Sequence, residues 1–320
     1  MYIPKRLIIE KFEFRKKPRL SQLQWLQLEK NMIIESNNFL DWWKCNHIYH
    51  DVIYFDIDGT LMSGTAALPG AIELIELLER DSVPFIFLTN DGYHSTEMKA
   101  ERFKNAGFDI NSENIISCGN ALEYVVGQKN LYDCKFFLMG GFGNPLYTDA
   151  CNLTVTREIS DLDGCNGVII GEMDYDWQSA INAVTNFFIN NPKASFIIPN
   201  PDSYWPTGNR KEIHIGSGGV ARFILTILQE YGLNIEPIYL GKPYQAIYNH
   251  TIQVLRNKYS NCYFNDIKRI LVVGDSLKSD ILGANNMGYT SALLLTGITN
   301  IEHLNQQTQI RANLVFRAII

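Results

Sequence analysis

Residues 51–62 read D-V-I-Y-F-D-I-D-G-T-L-M, an apolar run that ends in two carboxylates, Asp56 and Asp58. A short, near-continuous run of β-branched and aromatic residues is typical of a strand buried on both faces of a parallel sheet. Carboxylates held this close repel each other, so we expect a cation beside them. Gly59 follows at once and permits a sharp turn. The stretch therefore predicts a buried strand with a charged site at its carboxyl end.

Strand and helix patterns alternate on both sides of this stretch. Further strands are predicted over 83–88, 115–117, 270–273 and 291–295, and 238–240 is another short apolar run. Helical periodicity covers 69–80, 95–106 and 244–258. This alternation predicts an α/β fold with a Rossmann-like core, in which a parallel sheet has helices on both faces.

The middle of the chain is too long for this repeating pattern. Thr89 and Lys242 are 153 positions apart, whereas one βα unit needs roughly 30 residues. We interpret the excess as an inserted α/β cap domain over 124–235, with strands of its own. The predicted division is a helical extension over 1–45, a core domain over 46–123 and 236–320, and the cap over 124–235.

Polar side chains follow several predicted strands at the point where each strand ends. Ligands of open parallel sheets bind beyond these carboxyl ends. Each such residue has an ordinary explanation by itself, since an aspartate after a strand often caps the next helix. Together they would require several independent coincidences, so a functional site is favoured. They are Asp56, Asp58, Thr89, Asn90, Lys242, Asp275 and Asp280.

Metal-assisted phosphoryl transfer needs this combination of side chains. Mg²⁺ binds a few carboxylates together with water and a substrate phosphate. One carboxylate can attack phosphorus, and a second can protonate the leaving oxygen and later activate water. A hydroxyl and an ammonium group can hold the phosphoryl oxygens. The spacing excludes an EF-hand loop, and the glycine-rich segments 140–143 and 216–219 match neither a P-loop nor a dinucleotide fingerprint.

Four ordered motifs resemble the phosphatases of the haloacid dehalogenase (HAD) superfamily. They are D-I-D-G-T at 56–60, L-T-N at 88–90, G-K-P at 241–243 and G-D-S-L-K-S-D at 274–280. The resemblance covers about 51–299. Because the long insertion falls between the second and third motifs, the arrangement is similar to that of the class II capped members. Segments 200–202, 216–218 and 280–285 resemble subgroup IIA, the nitrophenyl-phosphate and sugar-phosphate phosphatases, and 202–207 is similar to the cat-eye-syndrome-critical-region-like branch.

The resemblance implies a role for each motif residue. Asp56 would be the nucleophile and Asp58 the general acid and base. Thr89, Asn90 and Lys242 would bind the transferring phosphoryl group. The implied Mg²⁺ ligands are Asp56, Asp58 through its backbone carbonyl, and Asp275, with Asp280 supporting the metal site.

Substrate specificity is expected from the cap. Four residues lie near its return to the core and are candidates for substrate contact: Asp202, Trp205, Arg210 and His214. Packing is an equally ordinary role for a tryptophan, and a structural one for a histidine. The resemblance also implies that the cap mediates a homodimer.

Composition limits the partners. The 320 residues carry a formal net charge of -6, which argues against a nucleic-acid or anionic-membrane binder. No apolar stretch approaches the roughly 20 residues that span a bilayer. Six scattered cysteines without a C-x-x-C pair predict thiols in a reducing compartment. A cytoplasmic location is expected because no secretory or transit signal is recognised in the sequence. One or two amphipathic helices are predicted over 21–44, with Trp25, Trp42 and Trp43 as packing anchors.

The predicted activity is Mg²⁺-dependent hydrolysis of a small organic phosphate monoester through an aspartyl-phosphate on Asp56. Two alternatives stay open at this point. A phosphotransferase would pass the phosphoryl group from Asp56 to an alcohol instead of water. A catalytically silent protein of the same fold would bind or scaffold a partner, since fold alone does not imply function.

Overall fold

The structure is a computed structural model that describes residues 38–206, 212–259, 266–301, 304 and 309–320. Of the helical stretch predicted over 21–44, residues 21–37 with Trp25 lie outside the described residues, as does the substrate candidate Arg210. Among the described helices, none is long and apolar enough to cross a membrane.

The strands and helices predicted from the sequence are present, together with further short strands. The strands are β1 (Val52–Phe55), β2 (Met62–Ser63), β3 (Ala66–Ala67), β4 (Phe85–Thr89), β5 (Ile115–Ser117), β6 (Lys135–Met139), β7 (Thr154–Thr156), β8 (Gly167–Ile170), β9 (Ser195–Ile198), β10 (Tyr204–Pro206), β11 (Ile213–Ile215), β12 (Ile238–Tyr239), β13 (Ile270–Gly274), β14 (Thr290–Leu294) and β15 (Leu314–Phe316). The helices are α1 (Phe39–Asn46), α2 (Ala71–Arg80), α3 (Thr96–Asn105), α4 (Ala121–Lys129), α5 (Trp177–Asn190), α6 (Ser217–Glu230), α7 (Gln245–Lys258) and α8 (Leu282–Met287).

The core sheet has the strand order β15-β14-β13-β1-β4-β5, and all its pairs are parallel. Strand β1 is central because it pairs with β13 on one side and with β4 on the other. Its side chains alternate between two apolar layers, with Tyr54 in the layer formed with α4 and α7, and Phe55 in the layer formed with α1 and α2. Helices therefore cover both faces of this sheet, and the predicted α/β class is confirmed.

A second sheet forms from the middle of the chain, with the order β12-β9-β8-β6-β7 and parallel pairs throughout. Along β6, Phe137 packs in the apolar layer with α5 and α6, and Phe136 faces the layer shared with α4 and α7. Both faces are thus buried along the central strands β6, β8 and β9. The predicted domain limits stay a prediction, and the strand pairing supports an inserted sheet that runs from β6 to β12.

Helix α1 is joined to the core at the C-terminal segment. The backbone N–H groups of Phe39 and Leu40 donate to the carbonyls of Ala318 and Ile319, at 3.1 and 2.9 Å. Trp43 is buried in the same contact, in the packing role expected for it. Residues 38–46 are consequently part of the core packing.

Candidate active site

Asp56 lies at the carboxyl end of β1, at the centre of the core sheet. Its backbone N–H donates to the carbonyl of Val273 at 2.8 Å, which continues the pairing with β13 by one residue. Asp275 follows the end of β13 directly, so the two carboxylates lie side by side at the same edge. This is the edge where ligands bind in open parallel sheets.

The side chain of Lys242 reaches into the same edge and is 2% exposed. Its Nζ donates to Oδ1 of Asp56 at 2.6 Å, to Oδ1 of Asp280 at 2.6 Å and to the carbonyl of Leu88 at 2.9 Å. Burial lowers the pKa of Lys242, but the charges of Asp280 and Asp56 raise it more, so the net shift is upward. The ammonium group therefore stays charged between two carboxylates.

Asp56, Asp275 and Asp280 form an acidic cluster whose ligand atoms all lie within 4.8 Å of one another. Burial raises the pKa of Asp56 to about 7, against the opposing effect of the Lys242 ammonium. Burial also raises the pKa of Asp275, and the charges of Asp56 and Asp280 add to that shift. Buried carboxylates that outnumber their cations are electrostatically unfavourable in the folded protein, and a divalent cation would compensate them. The donor set fits Mg²⁺, which prefers carboxylate oxygens.

Two close backbone approaches hold the acidic cluster in place. Gly59 has φ +82°, and a Cβ there would lie 2.4 Å from Oδ2 of Asp275. A Cβ at Gly274 would lie 2.2 Å from the carboxyl carbon of Asp280. Asp280 is oriented further by the N–H of Ser276, which donates to its Oδ2 at 3.0 Å. Glycine at both positions is thus needed for the carboxylates to reach their places.

Asn90 connects the carboxyl edge of the core sheet to the inserted segment. Its Oδ1 accepts from the backbone N–H of Lys242 at 2.8 Å, and its Nδ2 donates to the Lys242 carbonyl at 2.9 Å and to Oδ2 of Asp202 at 3.0 Å. Burial raises the pKa of Asp202. Thr89 precedes Asn90 and is buried, with its Oγ1 accepting from the N–H of Asp91 at 3.1 Å.

Asp58 lies on the solvent side of the site and its side chain is 56% exposed. It is not one of the three residues of the acidic cluster; its carboxylate is bound by the guanidinium of Arg102. The implied metal contact of Asp58 through its backbone carbonyl stays a prediction.

The other described cap candidates, Trp205 and His214, lie on the antiparallel pair of strands β10 and β11. Trp205 stacks on His214 across this hairpin, with ring centroids 5.7 Å apart and an interplanar angle of 6°. This is a packing contact, whereas Asp202 is connected to the carboxyl edge of the core sheet through Asn90. The structure thus brings Asp202 to the site and shows Trp205 and His214 paired with each other.

Two residues that the sequence did not single out lie beside the site. Arg102 binds Asp58, and Glu172, which follows β8, is buried and accepts from Nδ2 of Asn200 at 2.8 Å. Burial raises the pKa of Glu172 to about 7. Neither residue belongs to a recognisable motif, and each has its partner in a distant part of the chain.

Two family models match the chain on either side of the insertion. Residues 53–152 match the haloacid dehalogenase-like hydrolase model, and residues 239–319 match a second model described as HAD-hydrolase-like. The chain belongs to the haloacid dehalogenase-like hydrolases. Both matched segments contain the motifs that suggested this superfamily, and the predicted enzyme class is confirmed.

Individual relatives extend across the insertion. The 5'-nucleotidase YutF of Bacillus subtilis (strain 168) is 26% identical over 254 residues, which are 79% of this chain and 90% of that protein. An acid sugar phosphatase of Staphylococcus haemolyticus is 25% identical over 255 residues, 79% of this chain and 88% of that protein. The crystal structure of a possible sugar phosphatase of the HAD superfamily from Cytophaga hutchinsonii aligns with a TM-score of 0.72 at 25% identity, over 91% of this chain and 99% of that one. These relatives confirm the resemblance to subgroup IIA.

Proposed function

We propose that this chain hydrolyses small organic phosphate monoesters, with Asp56 as the nucleophile. The observation that carries the proposal is the position of the Lys242 ammonium, 2.6 Å from both Asp56 and Asp280 at the carboxyl edge of the core sheet. A nucleophile, a buried cation and further carboxylates come together here from segments as far apart as Asp56 and Asp280. The names of the B. subtilis and S. haemolyticus relatives, a nucleotidase and a sugar phosphatase, support the substrate class.

In the first step, an oxygen of Asp56 attacks phosphorus and the ester P–O bond breaks, which leaves an aspartyl-phosphate. Asp58 donates a proton to the departing oxygen of the alcohol. Lys242 and the hydroxyl of Thr89 hold the phosphoryl oxygens, and Asn90 fixes the backbone of Lys242 for this purpose.

In the second step, Asp58 is a carboxylate and accepts a proton from water as the water attacks the aspartyl-phosphate. The bond between phosphorus and Asp56 breaks, so that inorganic phosphate leaves and the Asp56 carboxylate is restored. One residue thus serves as acid and then as base, which requires its carboxyl group to stay within reach of both reacting oxygens.

Mg²⁺ is the proposed cofactor. Asp56, Asp275 and the backbone carbonyl of Asp58 would hold it, with Asp280 supporting the site, and the charge and donor type of the acidic cluster support this assignment. When bound, the ion supplies positive charge that offsets the charge on the phosphoryl oxygens and the attacking carboxylate.

Specificity is proposed to come from the cap, through Asp202 and Trp205. The hydrogen bond between Asp202 and Asn90 supports a substrate-binding role for Asp202. A homodimer through the cap is also proposed, supported by the exposed apolar side chains of Ile213, Ile215 and Phe223 on β11 and α6. A cytoplasmic location stays part of the proposal on the ground of the cysteine pattern.

The experiment measures phosphate release from p-nitrophenyl phosphate and from a panel of alkyl, sugar and nucleoside monophosphates, with and without Mg²⁺. We expect metal-dependent turnover in the wild type, a loss of more than about a thousandfold in Asp56→Asn, and full activity in the matched control Asp163→Asn, an exposed aspartate of the insertion. Absence of release from every ester in the wild type, or equal turnover by Asp56→Asn, contradicts the proposal. Added alcohols test phosphoryl transfer, because a transferase forms a new ester at the expense of free phosphate.

A further inference from the structure

Arg102 on α3 places its guanidinium against Asp58. Nη1 donates to Oδ2 of Asp58 at 3.1 Å, and Nη2 donates to Oδ1 of the same carboxylate. Nε and Nη2 also donate to the carbonyl of Gly64, at 3.1 and 2.5 Å. Gly64 lies in the turn between β2 and β3, the hairpin that directly follows Asp58. One planar group therefore binds both the carboxylate and the turn beside it.

Asp58 depends on this contact for its orientation. Its side chain is more than half exposed, and among the described residues the hydrogen bonds to its carboxylate come from Arg102. A free carboxylate at an exposed position exchanges between rotamers. Proton transfer needs the group within hydrogen-bond reach of the reacting oxygen. The paired arrangement of two N–H···O bonds restricts the carboxylate in a way that a lysine could not, because an ammonium offers no matching planar fork.

The helix that carries Arg102 is itself fixed to the core. Phe103 is 1% exposed and stacks on Phe87 of β4, with ring centroids 4.7 Å apart. Lys99, one turn earlier on the same face, is also buried and donates to the carbonyl of His94. The guanidinium thus extends from a helix that is packed firmly on the core. Its hydrogen bonds to Asp58 therefore fix that carboxylate relative to α3.

We propose that Arg102 is a positioning residue for Asp58, and that it keeps the carboxyl group where a proton can pass to the leaving oxygen. The inference rests on the proposed phosphatase function and adds to it a residue outside the four motifs. Arg102 acts through Asp58 and not on the substrate. Its removal therefore affects the step in which Asp58 donates a proton and leaves binding of the phosphoryl group by Lys242 and Thr89 intact.

The test compares two leaving groups in Arg102→Met. Nitrophenolate leaves without a proton, whereas the alkoxide of an alkyl phosphate needs one. The ratio kcat/KM reports only the steps up to the formation of the aspartyl-phosphate, so later hydrolysis by water does not enter. We expect kcat/KM to fall by about 10- to 100-fold for the best alkyl phosphate of the wild-type panel, and by less than about threefold for p-nitrophenyl phosphate.

Several results overturn the inference. They are equal losses on both esters, no loss on either, a gain on the alkyl ester, or a wild type that uses p-nitrophenyl phosphate but no alkyl ester. If the wild type releases phosphate from no ester, the proposed function is refuted, and the role of Arg102 that rests on it is refuted as well. Lys104→Met is the matched control, because Lys104 is an exposed cation on the same helix, and it should leave both rates unchanged.

A double-mutant cycle separates positioning from folding. If Arg102 acts through Asp58, Arg102→Met should have no further effect in an Asp58→Asn background, so the two losses should not add. Full additivity would assign Arg102 another role. Arg102→Lys is the second variant in case Arg102→Met does not fold, and it should lose alkyl-phosphate turnover selectively as well, since it keeps the charge without the fork.

Discussion

Removing the ammonium of Lys242 tests the charge balance of the site most directly. Lys242→Met keeps a long unbranched side chain but deletes the cation that lies 2.6 Å from Asp56 and 2.6 Å from Asp280. With every group ionised, the three carboxylates of the acidic cluster and the ammonium together carry a formal charge of about -2, and the substitution makes this about -3. The lysine is almost fully buried, so water cannot replace it.

The expected cost follows from this burial. Removing one partner of a buried ion pair costs about 3–5 kcal/mol of unfolding free energy. Part of that cost is avoided, because the pKa of Asp56 is already about 7 and rises further when Lys242 no longer lowers it. Asp56 then takes up a proton near neutral pH. We therefore expect a loss of about 3 kcal/mol at pH 7.5 without divalent ions, and a smaller loss at pH 5.5, where Asp56 is protonated in the wild type as well.

Urea unfolding in the presence of a chelator measures this loss. The matched control is Lys258→Met, which removes a lysine that pairs with Glu113 at 3.4 Å at the surface, where the two side chains are 30% and 78% exposed. Such pairs contribute less than about 1 kcal/mol. Adding Mg²⁺ should stabilise both the wild type and Lys242→Met. If the two lysine variants differ by less than about 1 kcal/mol, Lys242 does not compensate the acidic cluster as argued.

Two further predictions concern a buried carboxylate and a glycine. The folded-state pKa of Glu172 is raised to about 7 by burial, so the free energy of unfolding of the wild type falls as pH rises from about 4.5 to 7. Glu172→Gln should flatten this pH dependence and be more stable than the wild type at pH 8, by as much as about 3 kcal/mol. Urea titrations at several pH values measure the difference. An unchanged pH slope would contradict this. Gly59→Ala should lose both stability and phosphatase turnover, because φ is +82° and the new Cβ lies 2.4 Å from Oδ2 of Asp275. Gly64→Ala is the control: φ is +60° but the space around the new Cβ is open, so backbone strain should lower the free energy of unfolding by only about 1–2 kcal/mol. Equal turnover in the two alanine variants would show that the contact with Asp275 does not position the carboxylate.

The strand-end pattern made the core of the site predictable. Asp56, Thr89 and Asp275 each lie at the end of an apolar run. Parallel strands bring their carboxyl ends to one edge of the sheet, whatever the order of the strands in the sequence. Most strands of the two sheets were predictable in the same way, since they are near-continuous apolar runs. Strand β7 was missed because its sequence T-V-T contains no apolar run, and β15 was missed although it is as long as β5, which was predicted.

The contacts between distant side chains could not be predicted. Asn90 was expected to bind phosphate, and the structure shows its amide bound to the backbone of Lys242 and to Asp202. Nothing in the helical pattern of 95–106 distinguishes Arg102 from Lys99 and Lys104, the other cations of α3. The role of Arg102 depends on the positions of the turn at Gly64 and of the Asp58 carboxylate relative to α3. Only the packing of α3 on the sheet determines those positions.

The placement of β1 has a consequence for how the chain folds. This strand is made early, and it pairs with β4 within about 30 residues, but its other neighbour is β13, with Val52 beside Ile270. At roughly 5–20 residues per second, a ribosome needs on the order of ten seconds or more to deliver that partner. All five strands of the inserted sheet, from β6 to β12, are synthesised in that interval. The insertion thus has time to form before the central strand of the core is enclosed, and Asp56 meets Lys242, Asp275 and Asp280 only after that.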